Sequence, residues 1–339
     1  MEKSYHIAIA GATGAVGQEL LRVMERRNFP VRKLTALASE RSIGRTVEFR
    51  GEKTPVTLLN EDAFDGVDFA FFSAGATRSR QYVPAAVKAG AVVIDNSSAF
   101  RMDPSVPLVV PEVNADDLPG HRGVIANPNC SAAILCVGIW PIHRAAGLRR
   151  VVVSTYQSAS GAGARAMAEL ESQSRDVLEG RPAKPEAVPH QIAFNLFSHN
   201  TRIAENGYNE EENKMVEETR KMFHAPDLAI VPTCIRVPVF RAHSESVLLE
   251  LERPMGPDEA RAVLASAPGV RVVDDEAANR FPMPVDASGE FDVLVGRIRQ
   301  EPGNPRSLAL FISGDQLLKG AAWNAVQIAE CLIKAAAKA

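Results

Sequence analysis

The pattern of hydrophobic and polar positions changes near residue 149. Before that point, short apolar runs alternate with segments in which apolar residues recur every three or four positions. The runs predict strands and the recurring segments predict helices, an alternation typical of a doubly wound parallel sheet. The predicted strands are 5–10, 33–39, 67–73, 91–95 and 123–126, and the predicted helices are 18–27, 77–89 and 131–146.

After residue 149, apolar and polar residues alternate along longer segments, which indicates half-buried strands. Helical patterns interrupt them, and the combination predicts an α+β domain built on a mostly antiparallel sheet. Residues 316–338 are predicted to form one amphipathic helix capped by Asp315. The predicted strands are 149–157, 229–238, 246–252, 291–300 and 307–313, and the predicted helices lie near 164–179, 210–223 and 257–265.

Composition narrows the class of protein. The 339 residues exceed what one hydrophobic core usually serves, and 46% apolar content is enough for two. The net charge of −3 predicts binding neither to nucleic acid nor to a membrane surface. The chain has no signal-like start and no apolar run of membrane-spanning length, so we expect a cytoplasmic protein. The four cysteines lack C-x-x-C and zinc-ligand spacing, so neither disulfides nor a metal site is expected.

A glycine-rich turn, Gly11-Ala-Thr-Gly14-Ala-Val-Gly17, follows the first predicted strand. Glycines let the backbone approach a pyrophosphate closely, and the N-terminus of the next helix favours the anion. We therefore predict a Rossmann-like dinucleotide site in this domain. The spacing is G-x-x-G-x-x-G rather than G-x-G-x-x-G, so a glycine turn that binds nothing remains the alternative.

The second predicted strand ends in Ser39-Glu40-Arg41-Ser42, where a dinucleotide fold contacts the adenosine ribose. Arginine and serine suit the 2′-phosphate of NADP, whereas an acidic residue favours the free 2′-hydroxyl of NAD. The segment contains both kinds of residue. We predict NADP, with an Arg41 that only solvates the loop as the alternative.

One cysteine, Cys130, stands in Asn127-Pro-Asn-Cys-Ser131 between an apolar run and the start of a predicted helix. The positive end of the helix dipole favours the thiolate there, so Cys130 is the candidate nucleophile. An inert small hydrophobic residue is the alternative.

Polar residues at the ends of predicted strands are the other candidates, because chemistry is usually mounted there. Arg101 follows strand 91–95 and suits a phosphate or carboxylate, or else it pairs with Asp103 at the surface. Gln157 ends strand 149–157 and precedes a glycine-rich turn, 158–163, that has room for a ligand close to the backbone.

The helix predicted at 210–223 carries Glu211 and Lys214 on one face, which is also the pattern of a solvated surface pair. Strand 229–238 contains Arg236, and His243 follows seven residues later. A histidine in that position is a candidate proton shuttle.

In this combination and order, the motifs resemble those of aspartate-semialdehyde dehydrogenases over essentially the whole chain. The motifs are 11–17, Asn96-Ser-Ser98 with Arg101, 127–131, 157–163, Glu211-Glu-Asn-Lys214, Arg236 with His243, and Gln316-Leu-Leu-Lys-Gly-Ala-Ala322. The resemblance implies conversion of 4-phospho-L-aspartate and NADPH to L-aspartate 4-semialdehyde, phosphate and NADP, in lysine, diaminopimelate, methionine, threonine and isoleucine biosynthesis. It also implies a homodimer with two domains: an NADP-binding domain, 1–129, completed by the C-terminal helix 316–339, and a catalytic, substrate-binding and dimerisation domain, 130–315.

The resemblance further implies roles for single residues. Cys130 displaces phosphate and holds the aspartyl group as a thioester. His243 is the acid/base catalyst, and Gln157 orients the substrate and the acyl intermediate. No residue at these three positions departs from the family pattern.

Substrate and cofactor contacts follow in the same way. The resemblance implies that Arg236 binds the substrate carboxylate, that Glu211 faces its amino group, and that Arg101 and Lys214 hold phosphate. The implied NADP contacts are Gly11, Thr13, Gly14, Ala15, Val16, Arg41, Ser42, Ser160, Gly161 and Gln316.

Two alternative functions remain at this point. An N-acetyl-glutamyl-phosphate reductase also uses a cysteine thioester and NADPH, but its N-acetylated substrate offers no ammonium group to Glu211. The second alternative is a homologue that binds NADP without turnover. The joint presence of Cys130, Gln157 and His243 argues against it.

Overall fold

A computed structural model describes residues 3–337, and the chain divides into two units. The first unit is Met1–Asn129 with Ala321–Ala339, and the second is Cys130–Gly320. Each unit contains one seven-stranded sheet within the described residues.

The first unit begins with alternating strands and helices, as the sequence pattern predicts. Up to Asn129 its elements are β1 (Tyr5–Ala10), α1 (Ala15–Arg26), β2 (Val31–Ala38), β3 (Thr46–Phe49), β4 (Glu52–Leu58), β5 (Phe69–Phe72), α2 (Ala76–Lys88), β6 (Val92–Asp95), α3 (Pro111–Asn114) and β7 (Val124–Ala126).

The sheet of the first unit has the order β3-β4-β2-β1-β5-β6-β7 and is parallel except for the pair β3-β4. The strand order reverses at β1, since β2 lies on one side of it and β5 on the other. Doubly wound sheets bind ligands outside the carboxyl ends of the strands at this reversal. The fold thus places the predicted dinucleotide site at the ends of β1 and β5, and the predicted fold class of this unit is confirmed.

The pair β3 and β4 was not predicted from the sequence. Its strands are short and polar, Thr-Val-Glu-Phe and Glu-Lys-Thr-Pro-Val-Thr-Leu, with Pro55 inside the second. Proline and exposed charged residues are typical of sheet edges rather than of central strands. The hydrophobic signal was therefore too weak for a strand assignment.

The second unit has longer elements. They are α4 (Cys130–Ala146), β8 (Leu148–Gln157), α5 (Ala164–Leu178), β9 (Phe197–Ser198), α6 (Glu210–Met222), β10 (Ala229–Arg236), β11 (His243–Leu251), α7 (Pro257–Ala265), β12 (Val270–Val272), α8 (Pro284–Ala287), β13 (Val293–Glu301) and β14 (Asn304–Gly314).

The sheet of the second unit has the order β12-β13-β14-β11-β8-β10-β9. Only β12-β13 and β8-β10 are parallel pairs, so the predicted mostly antiparallel sheet is confirmed. Helix α4 is apolar on nearly all sides and packs against strands β8, β11, β13 and β14. A helix with this composition is a buried core element, and it carries Cys130 at its first residue.

The C-terminal segment differs from the single helix predicted for residues 316–338. A π-helical turn, Leu318–Ala322, comes first, and α9 (Trp323–Ala336) follows in the first unit. The expectation of one amphipathic face fails because residues 317–326 are buried on every side. Residue 338 lies outside the described residues. No helix within residues 3–337 has both the length and the apolar character needed to span a membrane.

Candidate active site

Three predicted site residues lie together because three strands begin or end at one edge of the second sheet. Strands β8 and β10 are parallel and end at Gln157 and Arg236, which are paired in register. Strand β11 runs antiparallel to β8 and begins at His243. All three side chains are buried. Sheet register, rather than proximity in sequence, builds this site.

The sulfur of Cys130 faces the imidazole of His243, with 3.5 Å between Sγ and Nε2. Cys130 begins α4 and is partly exposed. By contrast, Cys136 and Cys234 are buried in the core, and burial raises the pKa of each thiol. A thiol that is partly exposed at a helix N-terminus beside an imidazole has the surroundings of a reactive cysteine.

The tautomer of His243 follows from its hydrogen bonds. The backbone N–H of Ser158 donates to Nδ1 at 3.0 Å, so Nδ1 carries a lone pair. In a neutral imidazole the proton then lies on Nε2, the nitrogen that faces Cys130. The Ser158 hydroxyl also lies 3.0 Å from Nδ1. At rest, His243 is therefore a hydrogen-bond donor toward the sulfur.

His243 is neutral at physiological pH. Burial, and to a lesser extent the positive charge of Arg236, lower its pKa to about 3. Glu211 acts in the opposite direction but does not offset burial. The charge state thus agrees with the tautomer that Ser158 imposes.

Helix α6 presents Glu211 in its first turn because Asn209 and Glu212 form a capping box. Each donates its backbone N–H to the side chain of the other at 2.9 Å. The second oxygen of Glu212 accepts the N–H of Cys234 at 3.1 Å, which fixes the helix to β10. Local capping therefore sets the position of Glu211.

Glu211 is buried and does not form the solvated surface pair that its spacing with Lys214 allows. One carboxylate oxygen lies 3.3 Å from Lys214 Nζ, and the other accepts from Gln157 Nε2 at 3.5 Å. Gln157 Nε2 also lies 3.2 Å from the hydroxyl of Thr155. These contacts join the predicted substrate residues Gln157, Glu211 and Lys214.

The guanidinium of Arg236 is nearly fully buried. It donates to the carbonyl of Ser158 at 2.7 Å and contacts Nε2 of His199 at 2.9 Å. Its Nε–H has no acceptor among the described residues. A buried guanidinium with an unused donor is prepared for a carboxylate.

The turn after β8 lies directly over His243. A Cβ at Gly161 would come 2.9 Å from Cε1 of His243 and 3.2 Å from a guanidinium nitrogen of Arg236, so only glycine fits. The side chain of Gln316 donates to the hydroxyl of Ser160 and accepts the N–H of Ala242 at 2.8 Å. Ser160 and Gln316 thus connect the turn to the residue before His243.

In the first unit, the glycine turn has the shape of a phosphate cradle. Gly11 has φ +94°, and a Cβ there would lie 2.4 Å from the carbonyl oxygen of Ser73 after β5. A Cβ at Gly17 would lie 2.3 Å from the carbonyl oxygen of Gly11. Gly14 caps α1 without a side chain, so Ala15 and Val16 present their backbone in the first helical turn. The glycines and the helix N-terminus fit a pyrophosphate.

The loop after β2 approaches that cradle. The hydroxyl of Ser42 lies 3.2 Å from the hydroxyl of Thr13, and Ser42 is buried. Arg41 and Glu40 are exposed on the same short turn. The structure therefore brings the predicted ribose-reading segment beside the predicted phosphate-binding turn.

Arg101 is buried rather than exposed at the surface. It donates to the carbonyl of Asn127 at 2.9 Å and to that of Asn96 at 2.8 Å. Asp95 lies near it, and burial raises the pKa of that carboxyl. The side chain is held at the carboxyl ends of β6 and β7.

Sequence reasoning assigned no role to three residues that support this site: Ser158, His199 and Gly320. Ser158 was visible only as part of a glycine-rich turn, and its contact with His243 depends on backbone direction. His199 lies after the two-residue strand β9, where no hydrophobic pattern marks a site. Gly320 packs against Cys130 in the π-helical turn, which sequence patterns do not predict.

Comparisons with known proteins agree with this geometry. Residues 6–121 match the NAD-binding domain of semialdehyde dehydrogenases, and residues 139–319 match their dimerisation domain. Aspartate-semialdehyde dehydrogenase from Synechocystis sp. is 54% identical over 98% of this chain and 99% of its own.

A crystal structure of aspartate semialdehyde dehydrogenase II from Vibrio cholerae has a TM-score of 0.95 and 43% identity, and the match covers 98% of this chain and 99% of that one. A second structure from the same organism is described as complexed with ASA. The resemblance inferred from the motifs is confirmed. The chain belongs to the aspartate-semialdehyde dehydrogenase family.

Proposed function

We propose that the protein reduces 4-phospho-L-aspartate to L-aspartate 4-semialdehyde and phosphate, reversibly, as an oxidoreductase of amino-acid biosynthesis. The Cys130–His243 contact at 3.5 Å is the observation that carries the proposal. Family membership supports the substrate class, and the buried residues around this contact support the chemistry.

Cys130 is the proposed nucleophile. Its thiolate sulfur forms a C–S bond with the acyl carbon while the C–O bond to phosphate breaks, and the departing phosphate takes up one proton from solvent. The acyl phosphate is already activated, so a soft nucleophile near cations is sufficient. In the second unit, Lys214 supplies a positive charge for the phosphate. In the first unit, Arg101 stays the predicted phosphate ligand.

A nicotinamide cofactor, when bound, would supply the hydride needed to reduce the thioester. The carbonyl oxygen then carries negative charge until the C–S bond breaks and the thiolate of Cys130 is regenerated. His243 holds its proton on Nε2 and stabilises charge on sulfur and on that oxygen by donating a hydrogen bond. We propose that His243, predicted as the acid/base catalyst, acts as a neutral hydrogen-bond donor in this step.

Arg236 and Glu211 are the proposed ligands of the α-amino acid end of the substrate. The unused Nε–H of Arg236 suits the α-carboxylate, and the buried carboxylate of Glu211 suits the α-ammonium. Gln157 contacts Glu211 and completes this end of the site. An N-acetylated substrate has no α-ammonium group to donate to Glu211, which disfavours the N-acetyl-glutamyl-phosphate reductase alternative.

NADP is the proposed cofactor, at a site that the glycine cradle fits. Arg41 and Ser42 support a 2′-phosphate beside Thr13, and Glu40 is the residue that weakens this preference. Ser160 and Gln316 bond each other, so their contribution to NADP binding is proposed to come through the shape of the turn that includes Gly161.

We also propose a homodimer formed through the second unit. The matched dimerisation domain supports it. Phe194, Leu196 and Ile203 are each about 60% exposed and lie close together along the chain of that unit, where a partner subunit could cover them. Sedimentation of the full chain at twice the monomer mass is the expected result.

The test is phosphate-dependent reduction of NADP with L-aspartate 4-semialdehyde, repeated with NAD and with N-acetyl-glutamate semialdehyde. We expect fastest turnover with aspartate semialdehyde and NADP. Cys130→Ser removes the activity and leaves the circular dichroism spectrum and NADP binding unchanged. Unchanged activity of Cys130→Ser contradicts the thioester route, and faster turnover of the N-acetylated aldehyde contradicts the substrate assignment.

A further inference from the structure

Besides the carbonyl of Ser158, the buried guanidinium of Arg236 contacts the side chain of His199, which follows the edge strand β9. Strand β9 pairs with the end of β10, so that Phe197 lies opposite Arg236. The backbone N–H of His199 donates to the carbonyl of Cys234 at 2.8 Å. The imidazole is therefore fixed next to the guanidinium by two strands.

The 2.9 Å contact between a guanidinium N–H of Arg236 and Nε2 of His199 has only one polarity. A guanidinium donates and never accepts, so Nε2 must be the acceptor. The ring proton then lies on Nδ1, which is 3.4 Å from the hydroxyl oxygen of Thr201. His199 and His243 thus have opposite tautomers.

Thr201 continues this connection to α6. Its hydroxyl oxygen also accepts the backbone N–H of Glu211 at 3.2 Å. A series of three hydrogen bonds therefore runs from Arg236 through His199 and Thr201 to Glu211. Its two ends are the residues assigned above to the carboxylate and the ammonium of the substrate.

Only a neutral His199 serves as an acceptor. The charged and titratable groups around it are Arg236 on β10, His243 on β11, and Glu211 and Lys214 on α6. The pKa of His199 is lowered to about 4, chiefly by burial, with Glu211 acting to raise it and Arg236 and Lys214 acting to lower it. The ring is uncharged at the pH of ordinary assays.

We propose that His199 is a positioning residue for substrate binding. It holds Arg236 and sets the distance between Arg236 and Glu211, and so affects the affinity for the α-amino acid end of the substrate without contacting it. The inference rests on the proposed function, because it uses the assigned roles of Arg236 and Glu211. It adds a specificity determinant that touches neither the sulfur nor the substrate. An aldehyde without an α-carboxylate does not need this contact.

The experiment compares wild type, His199→Leu and His199→Gln in the phosphate-dependent reaction. For His199→Leu, we expect KM for aspartate semialdehyde to rise at least about ten-fold, since a hydrogen bond to a charged group is lost. The kcat value and the KM values for phosphate and NADP change by less than about three-fold. His199→Gln restores a hydrogen-bond acceptor for Arg236, so its KM for aspartate semialdehyde is expected to lie close to the wild-type value.

Two controls separate this role from a loss of folding. His190→Ala changes an exposed histidine that packs edge-on against Phe197, and it leaves all constants unchanged. With 3-aminopropanal, which lacks the α-carboxylate, wild type and His199→Leu have equal kcat/KM. A wild-type KM in His199→Leu, or an equal loss with both aldehydes, overturns the proposal.

If His199→Leu does not fold, the tautomer of His199 in the wild-type protein provides the test. In ¹⁵N-histidine spectra of the full wild-type chain at pH 7, His199 is expected to carry its proton on Nδ1. A proton on Nε2 overturns the proposal. Failure of the proposed function gives a different result, namely no turnover of aspartate semialdehyde by the wild-type protein.

Discussion

Gly320 lies against Cys130 so closely that a Cβ at position 320 would be 2.7 Å from the Cβ of Cys130 and 3.0 Å from its Cα. The contact is made by the π-helical turn Leu318–Ala322. Single π-helical turns are often found at functional sites. Here the turn packs directly against the proposed nucleophile, and glycine is required because a Cβ at position 320 would overlap Cys130.

Gly320→Ala is therefore expected to move Cys130 and lower kcat at least about ten-fold, because small displacements of a reacting group cost rate steeply. Gly256→Ala is the matched control, since a Cβ there meets nothing within 4 Å. The measurement is kcat together with the rate of Cys130 alkylation by iodoacetamide. Equal kcat values and equal alkylation rates in both variants would show that the π-helical turn does not position the thiol.

His243→Asn tests the neutral-donor role. The amide oxygen of asparagine can still accept the N–H of Ser158, but the donor toward Cys130 is removed. We expect kcat to fall by about 10² to 10⁴ with little change in KM. Because the pKa of His243 is about 3, wild-type kcat should show no His243 inflection between pH 5 and 8. An inflection near 6.5 that disappears in His243→Asn would contradict this role.

The same substitution changes stability in acid. An unfolded histidine takes up a proton below about pH 6.5, whereas folded His243 stays neutral to about pH 3. Stability therefore falls as pH decreases through this window, by about 2 kcal/mol at pH 5 from this residue. Urea unfolding at pH 7.5 and pH 5 should show a smaller acid loss in His243→Asn than in wild type.

Glu245 is a second buried group whose pKa lies far from its ordinary value. It lies on β11 two residues after His243, and neither carboxylate oxygen has a hydrogen-bond partner among residues 3–337. Burial raises its pKa well above the ordinary value. The folded protein retains this proton while the unfolded chain releases it, so stability falls as pH rises above the unfolded value near 4.5.

Glu245→Gln replaces the protonated carboxyl by a neutral group of similar shape. As pH rises, we expect the free energy of unfolding of the variant to increase relative to that of wild type, by up to about 1.4 kcal/mol per pH unit. Urea unfolding at pH 5 and pH 8 measures the difference. Glu250→Gln is the control, since Glu250 pairs at the surface with Arg150 on the same sheet. A pH-independent difference for Glu245→Gln would contradict a protonated core carboxyl.

Elements of the fold could be predicted from the sequence where their hydrophobic pattern is clear. Strands β1 and β8 and helices α4 and α7 carry strong hydrophobic patterns, and their predicted bounds agree with the structure to within one residue. The edge pair β3 and β4 was missed because polar edge strands resemble loops. The break of the C-terminal segment was missed because a π-helical turn has no hydrophobic pattern that distinguishes it from the start of an α-helix.

Within the candidate site, chemical type and position along the chain marked Cys130, Gln157, Arg236 and His243 as candidates, and the family resemblance supplied their roles. Sequence could not show that the backbone of Ser158 fixes a tautomer, since that depends on the direction of one N–H group. Contacts made by backbone, and by side chains in loops without a pattern, become visible only after the chain has folded.

Arg41→Ala tests the cofactor assignment. Arg41 is exposed on the turn whose Ser42 contacts Thr13, and an arginine there suits the 2′-phosphate that distinguishes NADP from NAD. We expect KM for NADP to rise about ten-fold and KM for NAD to stay unchanged. Arg45→Ala, an exposed arginine four residues along the same loop, is the control and changes neither value. Because exposed charge pairs are screened, the difference in KM for NADP between wild type and Arg41→Ala should shrink as salt is raised. An equal rise for both cofactors would mean that Arg41 supports the loop instead of contacting the phosphate.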